Sequence, residues 1–86
     1  MLSRKEIADK LKELLINADD SKADAINAAT DESDLSVDLG LDSIRTLYMV
    51  IAIEESFDIR FKNVNMSDFK TFGDTVDFVE AKLKEK

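Results

Sequence analysis

Ser43 is the residue best placed to undergo chemistry, and its neighbours put it there: Asp38-Leu39-Gly40-Leu41-Asp42-Ser43 leads straight into an apolar run from Ile44 to Ile53. Asp and Ser just ahead of a periodic apolar segment are helix-start residues, and Gly40 can adopt a turn conformation that other residues resist. Ser43 is therefore expected at the first position of a helix, facing solvent. The amide N–H groups and the dipole at such an end favour negative charge, so a phosphate ester on this hydroxyl would be well placed. The serine is not a nucleophile in its own right. The chain contains no His and no Cys, which removes the Ser-His-Asp arrangement and its relatives. Chemistry at Ser43 must be done to it by another protein, and no catalytic residue is assigned to the chain.

Charge narrows the partners. A formal net charge of −7 over 86 residues argues against nucleic acid, whose phosphates need clustered Lys and Arg. Such a surface instead attracts basic patches on other proteins. Acidic residues are dense between Asp19 and Asp38, but a calcium-loop register that uses Gly40 puts Leu35, Val37 and Leu39 at ligand positions, so no metal site is expected. No apolar run is long enough to span a bilayer, and Ser3-Arg4-Lys5-Glu6 opens an amphipathic helix, not a secretory or transit segment. With no Cys to form disulfides, the expectation is a single domain over residues 1–86, monomeric and cytoplasmic.

The elements that position Ser43 are helical. Ser3 and Glu6 form a capping-box pair, Leu2 and Ile7 sit at the positions of a hydrophobic staple, and Ile7, Leu11, Leu14 and Leu15 make one stripe of a first helix beginning near Arg4. From Asn17 to Asp38 the pattern is irregular, with a helical turn expected over 23–29 that tucks Ile26 inward. Leu35, Val37, Leu39 and Leu41 are the expected apolar anchors of this long loop. The serine-bearing helix should run from Ser43 to Ser56, with Leu47, Val50, Ile53 and Phe57 toward the core. Ile44, Tyr48 and Ile51 fall on another side, suited to a partner. An extended connection follows over 58–64, then a short turn over 65–69 with Met66 and Phe69 inward. Thr71 caps a last helix with Asp74 three residues on, and Phe72, Val76, Val79 and Leu83 form its stripe.

Asp38-Leu39-Gly40-Leu41-Asp42-Ser43-Ile44, followed by Glu54-Glu55 and Phe57, resembles the acyl carrier protein pattern, and the order and spacing of the other segments resemble that family over nearly the whole chain. The resemblance implies an all-α, four-helix bundle with three longer helices, a short third helix and a long loop between the first two. It also implies that Ser43 receives a covalent 4′-phosphopantetheine arm from a separate phosphopantetheinyl transferase. Asp42 would cap the helix and mark the site, with Gly40 in the turn before it. Acyl-transferring or acyl-modifying enzymes with basic docking patches would then bind along the loop and helix, at Asp38, Ile44, Arg45, Tyr48, Ile51 and Glu55.

The chain departs from the usual pattern at Arg45 and Tyr48, where typical fatty-acid carriers keep acidic residues, and at the missing proline before the short third helix. A cation and an aromatic ring in place of carboxylates select a different partner patch. The expected function is thus that of a specialised acyl carrier in fatty-acid, lipid or polyketide-type synthesis. A carrier of aminoacyl or peptidyl groups and an unmodified helical interaction module are the alternatives.

Overall fold

The computed structural model describes residues 2–62 and 68–85. Its helices are α1 (Arg4–Ala18), a 3-10 turn (Asp20–Lys22), α2 (Ala23–Asn27), α3 (Ser43–Phe57) and α4 (Phe72–Glu85). Among the described residues the only β pairing is an isolated antiparallel bridge between Asp34 and Thr71. The expected all-α architecture is present, with three longer helices and a long connection between α1 and α3. The expected turn over 65–69 falls mostly outside the described residues, although Phe69 is buried as anticipated.

Local chemistry starts the two outer helices. The Ser3 hydroxyl accepts from the Glu6 N–H at 3.2 Å while the Glu6 carboxylate accepts from the Ser3 N–H at 3.0 Å, and these bonds hold the Glu6 carboxyl below its usual range. Thr71 and Asp74 form the same reciprocal pair at the start of α4, at 3.0 and 3.1 Å. Each box satisfies amides that a helix end leaves without intrahelical partners. The helices then bury Ile7, Leu11 and Leu15 of α1 against Phe72, Val76 and Val79 of α4 and Ile53 and Phe57 of α3 in one core. Leu14 is half-buried at its edge.

The long connection belongs to this core. Ile26 of α2 is buried, as are Leu35 and Leu39. Its backbone also completes the start of α4: Ser33 C=O accepts from Phe72 N–H at 2.8 Å, Asp31 C=O from Gly73 N–H at 3.0 Å, and Lys70 C=O from Leu35 N–H at 3.0 Å. Arg4 adds a clasp, reaching Asp31 in the loop and Asp77 on α4. Gly73 is the closest approach, because a Cβ there would meet the Asp31 carbonyl oxygen at 2.7 Å and the Asp31 Cβ at 2.8 Å.

Two expectations are corrected. Val37 is not an anchor; it is 81% exposed because it sits at the tip of a turn whose amides, Ser36 N–H and Val37 N–H, both donate to the Asp34 carboxylate at 2.8 Å. Leu47 is likewise not in the core but 49% exposed, and α3 instead buries Thr46, Met49, Val50, Ile53 and Phe57. Thr46 tolerates burial because its hydroxyl donates to the Asp42 C=O at 2.8 Å, which removes the penalty for an unpaired polar group.

Gly73→Ala separates packing from helix propensity. Propensity alone would stabilise a helical position by about 1 kcal/mol, whereas the clash with the Asp31 backbone costs about 1–3 kcal/mol. Urea unfolding should show net destabilisation; an unchanged or higher midpoint would mean that the loop does not lie this close to α4.

Candidate functional site

Ser43 occupies the first position of α3 and is exposed, and its side chain has no hydrogen-bond partner among the described residues. Asp42 is the N-cap: its carboxylate accepts from the Arg45 N–H at 2.8 Å, and its C=O accepts from the Thr46 N–H at 2.9 Å. The Ser43 and Ile44 amides precede that first helical bond, so the positive end of the helix faces whatever is joined to the Ser43 oxygen.

The turn before it is tightly determined. Gly40 has φ +70°, a left-handed conformation that L side chains resist. Its N–H donates to the Ser36 C=O at 3.1 Å, and Leu41 N–H donates to the Leu35 C=O at 2.8 Å. The Asp34 N–H in turn donates to the Asp38 carboxylate at 2.7 Å. Asp38, expected as a docking residue, thus has a structural part in the loop. Buried Leu35 and Leu39 hold this knot to the core, so the chain enters α3 from a fixed direction.

The expected docking residues divide into two groups. Ile44 and Tyr48 are each 63% exposed and Ile51 is 42% exposed, and Glu55 is exposed near the far end of the helix. Leu47 joins Ile44, Tyr48 and Ile51 to complete a stripe at i, i+3, i+4 and i+7. That spacing was visible in the sequence, but it is the same spacing as the buried set Thr46, Met49, Val50 and Ile53, and hydrophobicity alone favoured Leu47 over Thr46. Arg45 points elsewhere. Its guanidinium pairs with the Asp19 carboxylate at the end of α1, so it is not a free cation on the helix surface.

Asp19 is itself well anchored. Ser21 donates to it from both hydroxyl and amide, at 2.6 and 3.1 Å, and these bonds, with Arg45 beside them, hold its carboxyl below the usual range. Glu54 also has a structural partner, since its carboxylate accepts the Phe61 N–H at 2.9 Å. Among the described residues no group of three or more carboxylates is arranged to hold a metal ion, and no helix is long and apolar enough to cross a membrane.

This geometry fits a covalently attached phosphodiester: an unpartnered hydroxyl, two leading amides of a long helix, and a cap that leaves them free. The family model for the phosphopantetheine attachment site matches residues 7–79. Two proteins named acyl carrier protein are similar over nearly their full length. One, from Prochlorococcus marinus, is 34% identical over 94% of this chain and 98% of its own; the other, from Thermotoga maritima, is 31% identical over 96% and 99%. A mitochondrial acyl carrier protein of Saccharomyces cerevisiae is 28% identical over 93% of this chain and 65% of its own. The chain belongs to the acyl carrier protein family, whose cofactor is covalently attached 4′-phosphopantetheine.

The Asp19 environment predicts a pH signature. A carboxyl depressed by folding stabilises the protein above its unfolded value, about 3.9 for Asp, and that contribution is lost as pH falls through the lower folded value. The Tm difference between wild type and Asp19→Asn should be largest near neutral pH and shrink below about pH 4. A gap that stays constant into acid would show that the charge on Asp19 contributes nothing.

Proposed function

We propose that Ser43 is the attachment point of the 4′-phosphopantetheine arm and that the chain is an acyl carrier without catalytic activity of its own. The observation that carries this reading is the Ser43 hydroxyl, exposed and unpartnered at the first position of α3. A separate transferase would deliver the arm from coenzyme A, guided by Asp42 and the turn at Gly40. The terminal thiol of the arm supplies the chemistry, holding acyl groups as thioesters. This chain's own residues hold the serine in place and offer a face to the enzymes that act on the cargo.

That face is the stripe of Ile44, Leu47, Tyr48 and Ile51, bordered by Glu55. An apolar strip edged by carboxylate suits partner enzymes with an apolar centre and a basic rim. The departures from a typical fatty-acid carrier support a specialised role in fatty-acid, lipid or polyketide-type synthesis. Because Asp19 neutralises Arg45, the difference seen by a partner is a missing carboxylate and the added ring of Tyr48, not an extra positive charge.

Intact mass tests the attachment directly. With coenzyme A and a broad-specificity phosphopantetheinyl transferase, wild type should gain one arm and Ser43→Ala none; an unmodified wild type, or an arm on Ser43→Ala, would refute the assignment. For partner choice, Tyr48→Glu should tighten binding to a standard fatty-acid synthase enzyme by up to about fivefold, the worth of one exposed ion pair. Equal affinity would remove the reason to call the carrier specialised.

A further inference from the structure

Attachment of the arm joins a phosphodiester to Ser43, and its negative charge enters a surface that is already acidic. Asp34 and Asp42 line the same surface depression as Ser43, in a chain of net charge −7. Local bonds hold both carboxylates beside the ester: Asp34 accepts from the Ser36 and Val37 amides at 2.8 Å, and Asp42 accepts from the Arg45 amide at 2.8 Å. The α3 dipole offsets part of the repulsion. A cation nearby would offset more.

Lys70 is the cation at hand. Among the described residues that line the depression it alone carries positive charge. Its side chain is exposed and has neither a hydrogen bond nor an ion pair with any described residue, whereas Arg4, Lys5, Lys10, Arg45 and Lys82 each pair with a carboxylate. The backbone fixes where Lys70 stands relative to the serine. Lys70 C=O accepts from Leu35 N–H at 3.0 Å, and Leu35 C=O accepts from Leu41 N–H at 2.8 Å, one residue before the Asp42 cap. Two hydrogen bonds thus tie Lys70 to the turn that delivers Ser43.

We infer that the Lys70 ammonium is the counter-charge of the phosphodiester on Ser43 and draws the root of the arm toward the place where Lys70 meets Leu35. This rests on the assignment of the arm to Ser43. A flexible stem that ends in a compact charge can follow a phosphate that moves with the arm. An ion pair this exposed is also weak enough to break when an enzyme takes the arm. Lys70 therefore positions the arm between encounters and forms no bond with the cargo.

The test is NMR on the full chain before and after arm transfer from coenzyme A, with the gain in mass verifying attachment. The side-chain ammonium resonance of Lys70 should shift on attachment, while those of Lys62 and Lys84, which are exposed and also lack a partner among the described residues, stay in place. Raising the salt to about 1 M, where the Debye length falls to about 3 Å, should shrink that shift. With the arm attached, Lys70→Gln should move the phosphorus resonance of the phosphodiester, Lys70→Arg should keep it close to the wild-type position, and Lys62→Gln should not affect it. A Lys70 resonance indifferent to attachment, or a phosphorus resonance that Lys70→Gln leaves in place, would overturn this inference and leave the attachment intact. Failure to gain any mass at all would overturn the attachment itself, and this inference with it.

Discussion

The structure depends on how the first amides of α4 find acceptors. Phe72 and Gly73 donate to carbonyls of Ser33 and Asp31, residues that lie far away in sequence, in the connection between α1 and α3. A buried helix end without such partners carries the desolvation cost of each orphaned group. Meeting that need pins the connection to the core. Everything the connection carries toward α3 is thereby fixed: buried Leu35 and Leu39, the Asp34–Asp38 knot, the left-handed Gly40, and finally Asp42 and Ser43.

The proposed function rests on what α3 leaves outside. Its inner stripe closes the core and its outer stripe of Ile44, Leu47, Tyr48 and Ile51 remains uncovered, so the proposed docking face lies opposite the face that stabilises the fold. A small acidic domain that exposes this much apolar surface sacrifices solubility for contact area, and its net negative charge offsets the hazard of self-association. The serine lies at the end shared by both faces.

Much of this was legible in the sequence wherever the chemistry is local. The Ser3–Glu6 and Thr71–Asp74 boxes are contacts at three-residue spacing, so residue types alone place both helix starts, and Asp42-Ser43 does the same for α3. Ile26 could be recognised as a buried turn residue because it is the one large apolar side chain between Asn17 and Asp34. The two stripes of α3 were harder, because they share one spacing and Thr46 wins the inner position only by giving its hydroxyl to Asp42. Val37 misled because an Asp-capped turn lifts an apolar residue outward. The contacts of Gly73 with Asp31, Arg4 with Asp77, and Arg45 with Asp19 bring together residues remote in sequence, and no local signal announces them.

The central claim is that the long connection is a rigid mount for Ser43 and not a mobile linker, and native-state amide hydrogen exchange tests it most directly. If the mount unfolds only with the domain, the Leu35, Leu39 and Leu41 amides will exchange with the same opening free energy as those of Ile53 and Val76. Exchange of those loop amides through a much cheaper local opening, with Ile53 and Val76 still protected, would contradict the account.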